Sequence, residues 1–345
     1  MGYASFLLML IFAALLIPFS ASASNAAADA MRTAAETVIP SLFPFIVCAN
    51  YLLNSGIFER VRRIKGYFGF PLFFLFTALC GTPSAAFLCC EFSDLAVLDK
   101  KRASVLCAVL NLPGPVFILT VTEGFYGARQ YALMLAASVY APALIASIIL
   151  GFISPYCADN QTVSHRHFGA LELLSVSVSE AVFTVLRVSG TIVFFRVVYS
   201  LAESLGITLV LPLETRGLTL GMIEMTNGLI ALSKAPNQLG MTLSAFLLTF
   251  GGLCIFTQTK MIFAGLQIKA YFVTKLGMAF VSAVMNWVLY PALSITAPTF
   301  FELSNMAAMN SENTAARLIC LLSGGFICVF TLAVSMLYSK LAAKR

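Results

Sequence analysis

Hydrophobic and polar positions along this chain alternate on the scale of membrane helices. Eight runs carry no charged side chain: Gly2–Ala28, Thr37–Phe58, Gly66–Cys90, Ala103–Thr122, Gln130–Ala158, Ala235–Thr259, Leu276–Phe301 and Leu318–Ser339. A charge at mid-bilayer costs several kcal/mol, so such runs mark segments that can lie in lipid. Two further apolar runs carry charges: Ala181–Ala202 holds Arg187 and Arg196, and Gly217–Ser233 holds Glu224. A spanning helix needs about 20 residues, which leaves Gly217–Ser233 short for a crossing.

Several runs are interrupted at membrane depth. Thr37–Phe58 contains Pro40 and Pro44, and Gly66–Cys90 contains Gly81-Thr-Pro-Ser84. Ala103–Thr122 contains Asn111-Leu-Pro-Gly-Pro115, and Ala235–Thr259 contains Phe250-Gly-Gly-Leu253. Proline removes a backbone donor and crowds the preceding turn. In lipid the freed carbonyls must find partners in protein or in a wet cavity. One kink would be ordinary, but polar Thr82, Ser84 and Asn111 beside the interruptions point to a lined cavity.

The interruptions also recur. Pro44, Gly81 and Gly114 correspond in order to Gly190, Gly221 and Gly252, and a glutamate precedes each set, Glu36 and Glu180. Paired interrupted segments in two halves are the best sequence pointer to a transporter's binding site. Identity between the halves is low, and chance alignment is the competing explanation.

Composition agrees with the pattern. Of 345 residues, 60% are hydrophobic and 10% charged, and the mean hydropathy is +0.92. Soluble domains carry about 25% charge and about 45–50% apolar residues, so a soluble enzyme, a secreted module and a disordered chain are excluded. The net charge of +6 reads as an orientation signal, because basic residues collect in cytoplasmic loops. It does not call for a nucleic-acid partner.

Suppose that all ten segments span from an N-terminus inside. Then 12 of the 21 Lys and Arg fall inside and 7 outside. If Gly66–Cys90 and Gly217–Ser233 are re-entrant, the count is 14 against 5. The basic stretches Arg60–Lys65, Lys100–Arg102, Lys260–Lys275 and Lys340–Arg345 are then all inside. The expected fold is an all-α polytopic membrane protein of about 8 spanning helices plus two re-entrant segments in inverted repeats.

The expected organisation is an N-terminal transmembrane helix over 1–29, a first repeat over 30–158, a cytoplasmic linker over 159–179, a second repeat over 180–301, and a C-terminal helix with a basic tail over 302–345. Ser20-Ala-Ser-Ala-Ser-Asn25 after the first run is signal-peptide-like. The run has no Lys or Arg ahead of it and is long enough to span, which favours an uncleaved helix. The chain is then a multi-pass protein of the cell membrane with both termini cytoplasmic. Its partners are the lipid bilayer and a small-molecule solute, and a homo-oligomer is left open.

The nine cysteines lie in or beside apolar runs without a C-x-x-C pair, so they read as small hydrophobes. No metal and no organic cofactor is expected. His165 and His167 share one polar loop without further ligands.

The candidate substrate site lies where the interruptions meet. Helix N-termini suit carboxylates, and Thr82, Ser84, Asn111, Thr226, Asn227, Thr257 and Gln258 supply neutral hydrogen bonds. Arg187 and Arg196 are nine residues apart, on nearly opposite faces of a helix. Arg187, beside Gly190, is the favoured anion-binding group, with an ion pair to Glu180 or Glu224, or snorkelling to the interface, as its structural alternative; Arg196 reads as structural. Glu224 is an intramembrane carboxylate and hence a functional candidate, for a coupling proton, a sodium ion or a salt bridge to Arg187. There is no H-E-x-x-H, intramembrane Asp pair or phosphate-binding loop, so no enzymatic activity is expected.

Five stretches, taken in order, resemble the sporulation integral membrane protein YlbJ family: Val38-Ile-Pro-Ser-Leu-Phe-Pro-Phe45, Gly81-Thr-Pro-Ser-Ala85, Asn111-Leu-Pro-Gly-Pro-Val-Phe117, Gly221-Met-Ile-Glu-Met-Thr-Asn-Gly228 and Ser244 through Gln258. The resemblance covers roughly residues 30–295. It implies the nucleoside-recognition gate domain shared with nucleoside and ferrous-iron transporters. It also implies a role in spore formation, and transport of a small anionic solute such as dipicolinate across the membrane around the forespore. Departures at Gly81-Thr-Pro and Leu112-Pro-Gly bear on the substrate more than on the fold. A nucleoside-like or ion transporter and a non-transporting assembly factor are the alternatives.

Overall fold

The computed structural model describes residues 3–55, 66–94, 97–153, 169–206, 211–234 and 236–295. All regular structure among them is helical. In chain order the helices are α1 (Tyr3–Leu16), α2 (Ser20–Thr33), α3 (Ile39–Asn54), α4 (Gly66–Cys80), α5 (Ser84–Asp94), α6 (Lys100–Leu110), α7 (Thr122–Tyr126), α8 (Arg129–Ile153), α9 (Ala170–Ser204), α10 (Leu213–Ile223), α11 (Met225–Ser233), α12 (Gln238–Phe250), α13 (Gly252–Ile262) and α14 (Ile268–Ile295). Wider π turns join α2 to α3 and precede α7.

Local chemistry sets several ends. The Asp99 carboxylate accepts from the backbone N–H groups of Lys101 and Arg102 at the start of α6, both at 2.9 Å. Asn237 does the same for α12 through Gly240 at 2.7 Å. Such caps replace the helical partners that the first turn lacks. Gly251, at φ +83°, ends α12 in the left-handed region that favours glycine.

Four helices form the centre: α14 packs against α12, α6 and α8, and α8 also touches α6 and α12. Without water as a competitor, polar pairs join these helices. Thr249 donates to Ser282 at 2.8 Å and Asn286 to Ser138 at 3.1 Å, while the Tyr126 hydroxyl ties the short α7 to Ser244 of α12. A second layer is built by α9 lying on α2 and α3. Its small core joins Ile46 to Ala181 and Val185.

Among the described residues four helices are long and apolar enough to cross a membrane: Arg129–Ile153, Ala170–Ser204, Gln238–Ile262 and Ile268–Pro291. A fifth counts if the bent pair Phe6–Leu16 and Ser20–Glu36 is one span. An all-helical, multi-pass membrane protein therefore stands. The expected C-terminal helix lies outside the described residues.

Several expectations are corrected. The first run is not one straight helix, since it bends by 99° between α1 and α2. The second arm is alanine- and serine-rich and buries Ala23, Ala26 and Ala30. The linker ends earlier than 179, because α9 already begins at Ala170. Neither Pro44 nor Gly190 is a break: α3 runs through Pro44, and α9 runs through Gly190, which faces open space. Lys275 is no loop residue, because it lies in α14, fully buried.

Candidate functional site

Both halves contain a chain reversal next to a broken helix. In the first, α4 and α5 fold back at Gly81–Pro83, so that the Phe73 and Phe92 rings meet at 4.8 Å. In the second, α10 and α11 form a close antiparallel hairpin with Glu224 at its tip. Gly228 lies so near Gly221 that an added Cβ would stand 2.4 Å from the Gly221 Cα.

The broken helices bear on these tips. A Cβ on Gly81 would fall 2.7 Å from the Gly114 nitrogen, and one on Gly252 would fall 2.7 Å from the Gly221 carbonyl oxygen. Thus Gly81 meets Gly114 as Gly221 meets Gly252, the positions paired in the sequence.

Between these elements and the α3–α9 layer lies a cavity of about 50 Å³, room for a few water molecules. The first half contributes Leu42, Thr82, Pro113, Gly114 and Phe117. The second contributes Val188 and Ile192 from α9, Glu224, Met225 and Thr226 from the hairpin, and Cys254, Ile255 and Gln258 from α13.

Glu224 is buried, and its two carboxylate oxygens accept from the backbone N–H groups of Thr226 at 3.0 Å and Asn227 at 2.9 Å. The carboxylate therefore caps the positive end of α11 itself. Behind it, the Arg196 guanidinium donates to the Asn227 side-chain oxygen at 2.6 Å and stands 5.1 Å over the Tyr199 ring.

Of the nine residues singled out from the sequence, Thr82, Glu224, Thr226 and Gln258 line the cavity. Asn227 stands one step behind, tied to Arg196. Ser84 is buried and donates to the Gly81 carbonyl at 2.6 Å, closing the turn. Thr257 donates to Leu253 in its own helix at 2.8 Å. The two arginines do occupy different faces, but Arg187 is on the exposed one. The structure separates Arg187 from the cavity and brings Arg196 beside it.

Asn111 also lies off the cavity wall. Its side-chain amide donates to the Thr259 hydroxyl at 2.7 Å and the Tyr271 hydroxyl at 3.1 Å. Its carbonyl accepts from Lys275 Nζ, which also reaches the Ala108 carbonyl at 3.2 Å. Tyr140 donates to the Pro113 carbonyl at 2.7 Å. These bonds satisfy the carbonyls that the interruption frees. Sequence reading missed Lys275, Tyr271, Thr259 and Tyr140. The i, i+3, i+4, i+7 set Ile268, Tyr271, Phe272 and Lys275 is the signal that puts Lys275 on a helix face.

No family model matches the chain, and no solved structure matches it. Among curated proteins it is similar to the sporulation integral membrane protein YlbJ of Bacillus subtilis (strain 168), with 24% identity over 308 residues, 75% of this chain and 75% of that protein, a match that supports the YlbJ-like family to which the ordered motifs pointed.

Proposed function

We propose that this chain is a non-enzymatic membrane transporter that carries a small solute through the cavity between its two interrupted halves. Spore formation is its setting, after the name of the similar Bacillus protein, and the membrane around the forespore its place. The observation that carries the reading is the convergence of both chain reversals and both broken helices on one cavity with a buried carboxylate on its wall. The hairpins α4–α5 and α10–α11 are read as re-entrant elements of inverted repeats, with both termini cytoplasmic.

The solute is a small anion such as dipicolinate. Glu224 sits on the N-terminus that would otherwise receive an anion. Two negative charges at this range repel strongly, so the anion enters when Glu224 holds a proton. Anion and proton then move together. A second reading has one supporting observation: the charged side chain on the cavity wall is acidic, and neither Arg187 nor Arg196 lines it. That favours a cation or a neutral, nucleoside-like solute.

Uptake by proteoliposomes holding only this protein tests both. Dipicolinate accumulation that follows an inward proton gradient, and loses that dependence in Glu224→Gln, is the expected result. Uptake of a cation in place of dipicolinate selects the second reading. No uptake of any solute overturns transport and leaves an assembly role.

A further inference from the structure

We infer that the cavity opens along the gap between α9 and the second hairpin, and that a polar strap across this gap holds it shut. The use of the path, solute passage, rests on the transport reading; the strap stands on its own geometry. Val188 and Ile192 line the cavity from α9. Arg196, Tyr199 and Glu203 continue the same face of that helix, all five lying within about 80° of rotation. Past the cavity the face therefore turns from aliphatic to polar as α9 runs toward its end at Ser204.

Each polar member reaches the hairpin or the next member. Arg196 donates to the Asn227 side-chain oxygen, beside the hairpin tip, at 2.6 Å. Its guanidinium lies over the Tyr199 ring, and the Tyr199 hydroxyl donates to the Glu203 carboxylate. Glu203 in turn pairs with Arg216, in the first turn of α10, at 2.6 Å. Arg196 and Glu203 are seven residues apart on α9, and eight residues separate Arg216 from Glu224. Those are rises of about 10 and about 12 Å, so the strap ties the hairpin to α9 both at its tip and at its open end.

Long side chains carry this join, because the α9 and α10 backbones approach each other at few points. The hairpin packs instead on itself, on α12 and on α13. The strap also leads outward. Tyr199 is buried, while the Glu203 and Arg216 side chains are 37% and 30% exposed. The two walls can part here by breaking a few charge-assisted contacts, with less loss of close apolar packing than at the hairpin's other faces.

Cys254 lies on the cavity wall and is 1% exposed, so its alkylation reports opening. Cys107, fully buried in α6 and off the cavity wall, reports general loosening. The intact protein in lipid vesicles is pulsed with a membrane-permeant maleimide at constant pH, and both cysteine peptides are quantified by mass spectrometry. Arg196→Met is expected to raise the Cys254 rate about tenfold or more. Glu203→Gln, which breaks a half-exposed pair, is expected to raise it about threefold. Cys107 stays at the wild-type rate in both. Exchanging the pair, Glu203→Arg with Arg216→Glu, is expected to bring Cys254 back to within about twofold of wild type. An unchanged Cys254 rate in either single variant overturns the proposal. So does an exchange that labels as fast as Glu203→Gln, or a parallel rise at Cys107. If Arg196→Met does not fold, Glu203→Gln and the exchange decide. Labelling needs no solute, so a failed uptake assay and a failed strap are read separately.

Discussion

Gly228→Ala is a sharp test of the hairpin, because helix propensity and packing predict opposite signs. Gly228 is in the helical stretch of α11, where alanine is favoured over glycine by about 1 kcal/mol. Packing opposes it. The new Cβ would stand 2.4 Å from the Gly221 Cα and 2.7 Å from both the Gly217 oxygen and the Gly221 nitrogen. All three are backbone atoms, so no side chain can swing aside. Restoring ordinary contact needs the helices to part by about 1 Å, and overpacking of this kind costs about 1–3 kcal/mol or more. Parting also forfeits dispersion contacts along the pair and moves Glu224 at its tip. A net loss of about 2 kcal/mol is expected. Gly190→Ala is the control, since nothing lies within 4 Å of its added Cβ; it is expected to be neutral or to gain up to about 1 kcal/mol. Thermal and denaturant unfolding in detergent, followed through the reactivity of the buried cysteines, measures both. A Gly228→Ala protein at or above wild-type stability, with Gly190→Ala behaving as stated, would refute the close hairpin.

Two other predictions concern the site. Asn111→Leu removes the bonds to Thr259 and Tyr271 and leaves a buried phenol short of a partner, at about 1–3 kcal/mol in the same unfolding assay; an unchanged midpoint would contradict the buried cluster. Arg196→Gln is expected to lower solute uptake at least about tenfold by releasing Asn227 and the Glu224 turn, while Arg187→Gln on the exposed face leaves uptake within about twofold. The reverse order of the two would restore the sequence-based assignment.

The tip of the second hairpin was legible in advance as Gly221 through Gly228 around Glu224, because a short apolar segment with one acid stands out against charge-free neighbours. Asn111 and Gly252 were legible as breaks for the same local reason: proline, glycine and amide change backbone conformation where they stand. Pro44 and Gly190 carried the same local marks and are not breaks. Proline 44 is accommodated within α3, and Gly190 lies on an open face of α9 where a missing side chain has no consequence.

By itself the sequence determined the solvent of this protein, its helical class, the breaks at Asn111–Pro115 and Gly251–Gly252, and the opposed faces of Arg187 and Arg196. These follow from transfer free energy and helical period, which are properties of short stretches. Tertiary structure alone decided which arginine stands behind Glu224, that Gly81 meets Gly114 as Gly221 meets Gly252, and that Lys275 satisfies carbonyls about 165 residues earlier in the chain. Those outcomes depend on which faces pack together, and a freed carbonyl in lipid takes whatever donor the fold brings within reach, wherever that donor lies in the sequence.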